Sequence, residues 1–164
     1  MSISQLQEAK SFGDIFSLVK KVVYDYCGRE QVGLLLGVTD LGGQADKFIG
    51  AFYSMHGNMI ILNNRPLKRI QQTNPSLYNA YIFHVLLHEY IHSLGVMDEM
   101  SCRQLTSDIS SRCFGDSHQV TELSRDIQKF LPNLTYPAGT FEAPNNLSID
   151  FIQGFDRANT NYIL

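Results

Sequence analysis

The stretch from about Ser76 to Leu94 leaves this chain few architectural choices. Asn74-Pro75-Ser76 reads as a helix start, with proline tolerated in the first turn, and Gly95 as its stop. Between them Ile82, Phe83, Val85, Leu86, Leu87 and Ile91 ask to be buried, yet His84, His88 and His92 recur among them every four residues. Glu89 follows the second of these histidines. A glutamate on a core-facing stripe is costly unless something compensates its charge. A fold built on this segment must therefore bury the helix and satisfy those polar side chains together.

The rest of the chain supplies material for such a core. Residues 14–26 carry Ile15, Phe16, Val19, Val22, Val23 and Tyr26 at helical spacing, with Asp14 as expected N-cap and Gly28 as stop. Residues 31–40 form a short apolar run closed by Gly42-Gly43, which predicts a strand. Residues 48–54 and 58–63 flank His56-Gly57, the pattern of a hairpin. A short helix is expected after Pro66. A further helix is expected from an Asp98 cap to about Cys113, and a third from 115–117 to Leu131. Residues 132–164, with three prolines and an Asn pair, should be mostly irregular. Within them, Ile149, Phe151 and Ile152 alternate with polar residues, so that piece either adds a strand or lies along a cleft as a self-inhibitory segment. Helix, then strands, then helices makes an α+β layout, and no linker or repeat divides residues 1–164, so one domain is expected.

Composition enters mainly by exclusion. With 164 residues and 44% hydrophobic content the chain can bury a sizeable core. A net charge of −3, a pI near 5.9 and no Lys/Arg cluster argue against a nucleic-acid partner and against a basic membrane face. No apolar run is long enough to span a bilayer, and the first residues lack the pattern of a signal peptide. Cys27, Cys102 and Cys113 are odd in number and at no metal-knuckle spacing. They suit reduced thiols in a cytoplasm, packing rather than ligating.

The chemistry concentrates in residues 86–99, LLHEYIHSLGVMDE. His88 and His92, at i and i+4, leave one helix face a turn apart, so both imidazoles can reach one Zn²⁺ at about 2.0–2.1 Å. Glu89 points beside such a metal rather than at it, placed to take a proton from an attacking water. By composition, chance matches to HExxH number on the order of 0.006 per chain of this kind. One turn further from the pair, His84 reads as a supporting or core histidine.

HEYIHSLGVMD resembles the HExxHxxGxxH/D signature of metzincin-type zincins, and the resemblance covers roughly residues 46–99. It implies an α+β, zincin-like fold: a short mixed sheet with a hairpin, packed on an active-site helix and followed by helices. It further implies a zinc metallopeptidase acting on peptides or proteins, with Glu89 as general base and Gly95 as the turn that returns the chain to the metal. Carried over, the ligands are His88, His92 and Asp98. No methionine follows Met100, so the Met-turn of metzincins is missing and the chain reads as a minimal zincin. It is also similar to uncharacterised small archaeal proteins with a HEY-I/L-HSLG core, a likeness that brings no activity with it.

The third ligand has three candidates. Asp98 has the offset of the signature, although Asp is also a common N-cap. His118 offers the better ligand type, but a helix over 98–113, about 24 Å long, should carry it away. Glu99, one residue past Asp98, could reach back from the first turn. The order adopted is Asp98, His118, Glu99. Tyr136, Tyr162 and His118 are candidates for oxyanion stabilisation, and the strand 48–54 is the expected upper rim of a cleft whose free edge pairs with substrate. Two rival readings remain. One is an endoribonuclease resembling the HGxLHxxGxDH family of ribosomal-RNA maturation, disfavoured by Glu89 in place of Gly and by the acidic charge. The other is a zinc-stabilised binding module without catalysis.

Overall fold

The computed structural model describes residues 3–42, 48–135 and 147–156. After a short helix α1 (Ile3–Glu8), the first long helix α2 spans Phe12–Cys27. It starts two residues before the predicted position because Ser11, not Asp14, is the cap: the Asp14 N–H donates to the Ser11 hydroxyl at 3.0 Å. Gly28, at φ +69°, closes it as expected.

Strand β1 is shorter than predicted, Leu35–Thr39. Upstream of it the backbone bonds elsewhere: Gln31 N–H donates to the Tyr90 hydroxyl and Gly33 N–H to the Asp156 carboxylate. The predicted hairpin forms with one change. Residues Phe48–Ile49 split off as β2, leaving β3 (Ala51–Ser54) to pair antiparallel with β4 (Met59–Asn63). The break falls at Gly50, where a Cβ would lie 2.8 Å from the Tyr81 hydroxyl and 3.0 Å from Leu134 Cδ1. A side chain there would force Tyr81 or Leu134 to shift. In the turn, Asn58 rather than Gly57 takes the left-handed conformation, at φ +46°.

Asn63 ends β4 and caps α3 (Asn64–Thr73), its side chain also bonding Leu41 N–H and the Ile49 carbonyl. A 3₁₀ turn (Pro75–Leu77) leads into α4 (Tyr78–Ser93). Helix α5 (Glu99–Phe114) follows, then α6 (Gln119–Arg125). The predicted third helix is thus cut short at Asp126 (φ −153°), and a 3₁₀ turn over Ile127–Lys129 replaces its end. Two short strands interrupt the expected irregular tail: β5 (Leu134–Thr135), parallel to β2, and β6 (Asp150–Phe151), antiparallel to β1.

The described chain is therefore mixed α+β: six α-helices and a four-stranded mixed sheet ordered β3-β4-β1-β6, with a two-stranded β2-β5 pair. β1 and β4 run parallel. β3 forms one edge of the sheet and β6 the other. The described C-terminal piece is tied in by Phe155 stacking on Phe16 at 4.2 Å and by Asp156, buried and paired with Lys20 at 3.1 Å.

Helix α4 is the axis of the structure, touching β3, β4 and the helices α1, α2, α3, α5 and α6. Every residue from Ala80 to His92 is buried, as a helix apolar on nearly all faces requires. Burying Phe83, Leu86, Leu87 and Ile91 stabilises the fold by about 1.5–3 kcal/mol each, which offsets the desolvation of the polar residues carried on the same helix. Among the described residues, no helix is long and apolar enough to cross a membrane.

Candidate metal centre

The C-terminus of α4 turns sharply. Leu94 ends the helix, and the Arg29 guanidinium donates to its carbonyl. Gly95 then takes φ +101°, and its N–H donates to the His92 carbonyl at 3.0 Å. No neighbouring atom would meet a Cβ there, so it is the backbone conformation that calls for glycine. The reversal brings the Val96 carbonyl to His92 Nδ1 at 2.7 Å and starts α5, which packs back along α4.

Asp98, first choice for the third ligand, is instead the N-cap of α5. Its carboxylate accepts from the backbone N–H and hydroxyl of Ser101, both at 2.8 Å, which draw its pKa below the usual carboxylate range in an exposed position. A short aspartate side chain reaches its own helix start and no further. Glu99, one residue on, faces the histidines. Its Oε1 lies 2.7 Å from His92 Nε2, and its Oε2 3.2 Å from His88 Nε2. His118 caps α6, accepting from Val120 N–H through Nδ1 and stacking on Phe114 at 4.6 Å, and it is not a member of the His88, His92 and Cys102 cluster. Tyr136 and Tyr162 fall outside the described residues.

The cluster has a further member that spacing did not suggest. Cys102, fully buried on α5, places its sulfur within 4.8 Å of a ring nitrogen of both His88 and His92. It also donates to the His88 carbonyl at 3.2 Å. Cys102 packs in the core, as read for the cysteines, and its sulfur also faces the two imidazoles. The available signal was Glu99-x-x-Cys102 on a helix expected to start at Asp98: positions i and i+3 share a face. The buried His88, His92 and Cys102 could hold a metal ion.

The orientation of His92 bears on that. A backbone carbonyl can only accept, so His92 Nδ1 carries a proton, and Nε2 is the nitrogen turned to Glu99 and the cluster. Metal-bound histidines are held in this way, the second nitrogen donating to a carbonyl or carboxylate. Two imidazoles, a carboxylate and a thiol converging in a buried space fit a borderline-soft divalent cation such as zinc.

Glu89 is buried beside both histidines, 3% exposed. Burial pushes its carboxyl above the usual range against the pull of His88 and His92, and the Tyr53 backbone N–H of edge strand β3 bonds to it. His84, buried one turn before His88, is driven down to about 3, first by burial and then by the nearby positive charge of His88. It is a neutral core imidazole, its ring centroid 6.3 Å from that of His88. The centre meets solvent at Glu99, whose side chain keeps 28% of its surface exposed.

Compared with known proteins, the chain matches no family model, and no curated protein or solved structure is significantly similar to it.

Proposed function

We propose that this chain is a zinc-dependent peptidase of a minimal, zincin-like kind, with His88, His92 and Glu99 as ligands and Glu89 as general base. The observation that carries the reading is the division of labour between two glutamates. Glu99 bridges the two Nε2 atoms from the next helix, while Glu89, far closer in sequence to the histidines, is held back by the Tyr53 N–H at the sheet edge. One carboxylate suits a donor and the other a neighbour of the metal.

Bound by those donors, zinc would supply Lewis acidity toward a water and a substrate carbonyl. The chain's own groups do the rest. Glu89, its proton affinity raised by burial, accepts a proton from the attacking water and passes it to the leaving amine. The Tyr53 N–H fixes the rotamer of that carboxylate. Among the described residues β3 pairs with β4 on one side only, and it packs against α4, so an extended peptide can add at its other edge as a further strand. The Val96 carbonyl keeps His92 in the tautomer that ligation needs.

A second reading, a structural zinc that only joins α4 to α5, gains support from the presence of four potential protein donors, the number typical of closed sites. Zinc-loaded wild type and Glu89→Gln, assayed on a peptide mixture by mass spectrometry, separate the two. A peptidase loses about 10²–10⁴-fold in turnover in the variant with zinc content unchanged. Turnover equal to wild type refutes Glu89 as base, and bound zinc with no cleavage by the wild type favours the structural reading.

A further inference from the structure

We propose that Cys102 is a fourth protein donor to the metal, closing the coordination sphere of the resting site. This rests on the zinc reading above and concerns what completes that site. α4 offers His88 and His92 at i and i+4, and α5, folded back on it, offers Glu99 and Cys102 at i and i+3. Each helix thus contributes one pair to a common space. The Glu99 oxygens reach both imidazoles, and so does the Cys102 sulfur, within 4.8 Å of a ring nitrogen of each.

A buried cysteine is ordinarily an apolar filler. Cys102 differs in that its sulfur, although in the core, also lies within 4.8 Å of a ring nitrogen of two imidazoles. Cys27, by contrast, is exposed and donates to Val23 within its own helix. Ligation converts the Cys102 thiol to a metal-bound thiolate and releases one proton to solvent. The S–H bond to the His88 carbonyl is given up in that step, and this carbonyl lies inside α4, where the helix ladder bonds it. A thiolate among the donors selects zinc or cobalt over magnesium and calcium.

The consequence for function is a site with four protein donors and no vacant position at rest. A peptidase built on it needs Cys102 to yield its place to water before turnover. Glu89 then stands ready beside a metal that the neighbouring helix keeps closed.

Cobalt(II) is the probe. Titrated into the full, zinc-stripped chain, it should give visible ligand-field bands together with a near-ultraviolet thiolate-to-cobalt charge-transfer band. Cys27→Ser/Cys113→Ser should keep both. Cys102→Ser should lose the charge-transfer band and keep the visible ones. Acetohydroxamate should shift the visible bands of Cys102→Ser but not those of the wild type. Visible bands without charge transfer in the wild type overturn the proposal and leave the zinc reading standing. So does a charge-transfer band that survives Cys102→Ser. Hydroxamate shifting the wild-type spectrum overturns closure. An absence of cobalt bands altogether brings down the zinc reading and this inference with it. If circular dichroism finds Cys102→Ser unfolded, the wild type and the double variant decide between the same outcomes.

Discussion

On the proposed zinc reading, removing zinc should lower the thermal midpoint by about 8–16 °C, and the gap should widen as the pH rises. A ligand that binds only the folded chain stabilises it by about 4 kcal/mol when free ligand is about 1,000 times its dissociation constant. For a chain of this size each kcal/mol moves the midpoint by about 2–4 °C. The stripped protein should still melt cooperatively, because the same side chains hold one another without an ion. Burial alone would pull the two imidazoles down, but the Cys102 sulfur and the Glu99 carboxylate beside them, aided by Glu89, push His88 up to about 9 and His92 up to about 11. Glu99, which burial would raise, is drawn down to about 2 by those imidazoles. Histidines whose folded values exceed the ordinary 6.5 contribute fully below about pH 6.5, and that contribution is lost as the pH rises through about 9 and then about 11. Glu99 works in the opposite sense: its contribution is present above about pH 4.5 and is lost as the pH falls through about 2. Metal binding needs unprotonated donors and strengthens with pH. Differential scanning fluorimetry with excess zinc and with a chelator, at pH 6, 7.5 and 9, measures the gap directly. A midpoint indifferent to zinc at all three values, or a gap that narrows toward pH 9, would refute this account of the cluster.

Asp98→Ala should cost about 1 kcal/mol of stability through the lost cap while zinc stoichiometry stays unchanged, whereas Glu99→Ala should weaken zinc binding; equal zinc loss in both would restore Asp98 as ligand. Gly95→Ala forces a side chain into φ +101° and should destabilise by about 1–3 kcal/mol, read by denaturant titration, with zinc affinity falling as the turn shifts. Lys20→Met leaves the buried Asp156 carboxylate without its ammonium partner, and a loss of about 3 kcal/mol is expected. A stability change within error would mean that the C-terminal piece contributes little to the fold.

Much of α4 was legible because two independent signals coincide there: an apolar stripe that must be buried and a HExxH spacing that needs one helix face. What spacing could not supply was the direction of the chain after Gly95. The metzincin-like offset favours Asp98, but an aspartate directly before a helix bonds first to its own backbone, and the longer glutamate behind it is left to reach the histidines. Cys102 was missed for a related reason. Its partners lie on another helix, and the burial that makes a cysteine look like packing is equally the burial of a metal site. The short strands β2, β5 and β6 owe their existence to partners far away in sequence, and no local pattern announces such pairs.

All the proposed donors, from His88 to Cys102, come from two successive helices and one tight turn. Sheet pairings, by contrast, join residues as distant as Gly37 and Phe151. Closing a short loop costs little chain entropy, and closing a long one is slow to be repaid. The centre is therefore placed to assemble early, as a local hairpin of helices, before β6 joins the sheet. Zinc present during refolding should then speed the appearance of α4–α5 structure rather than merely secure the finished fold.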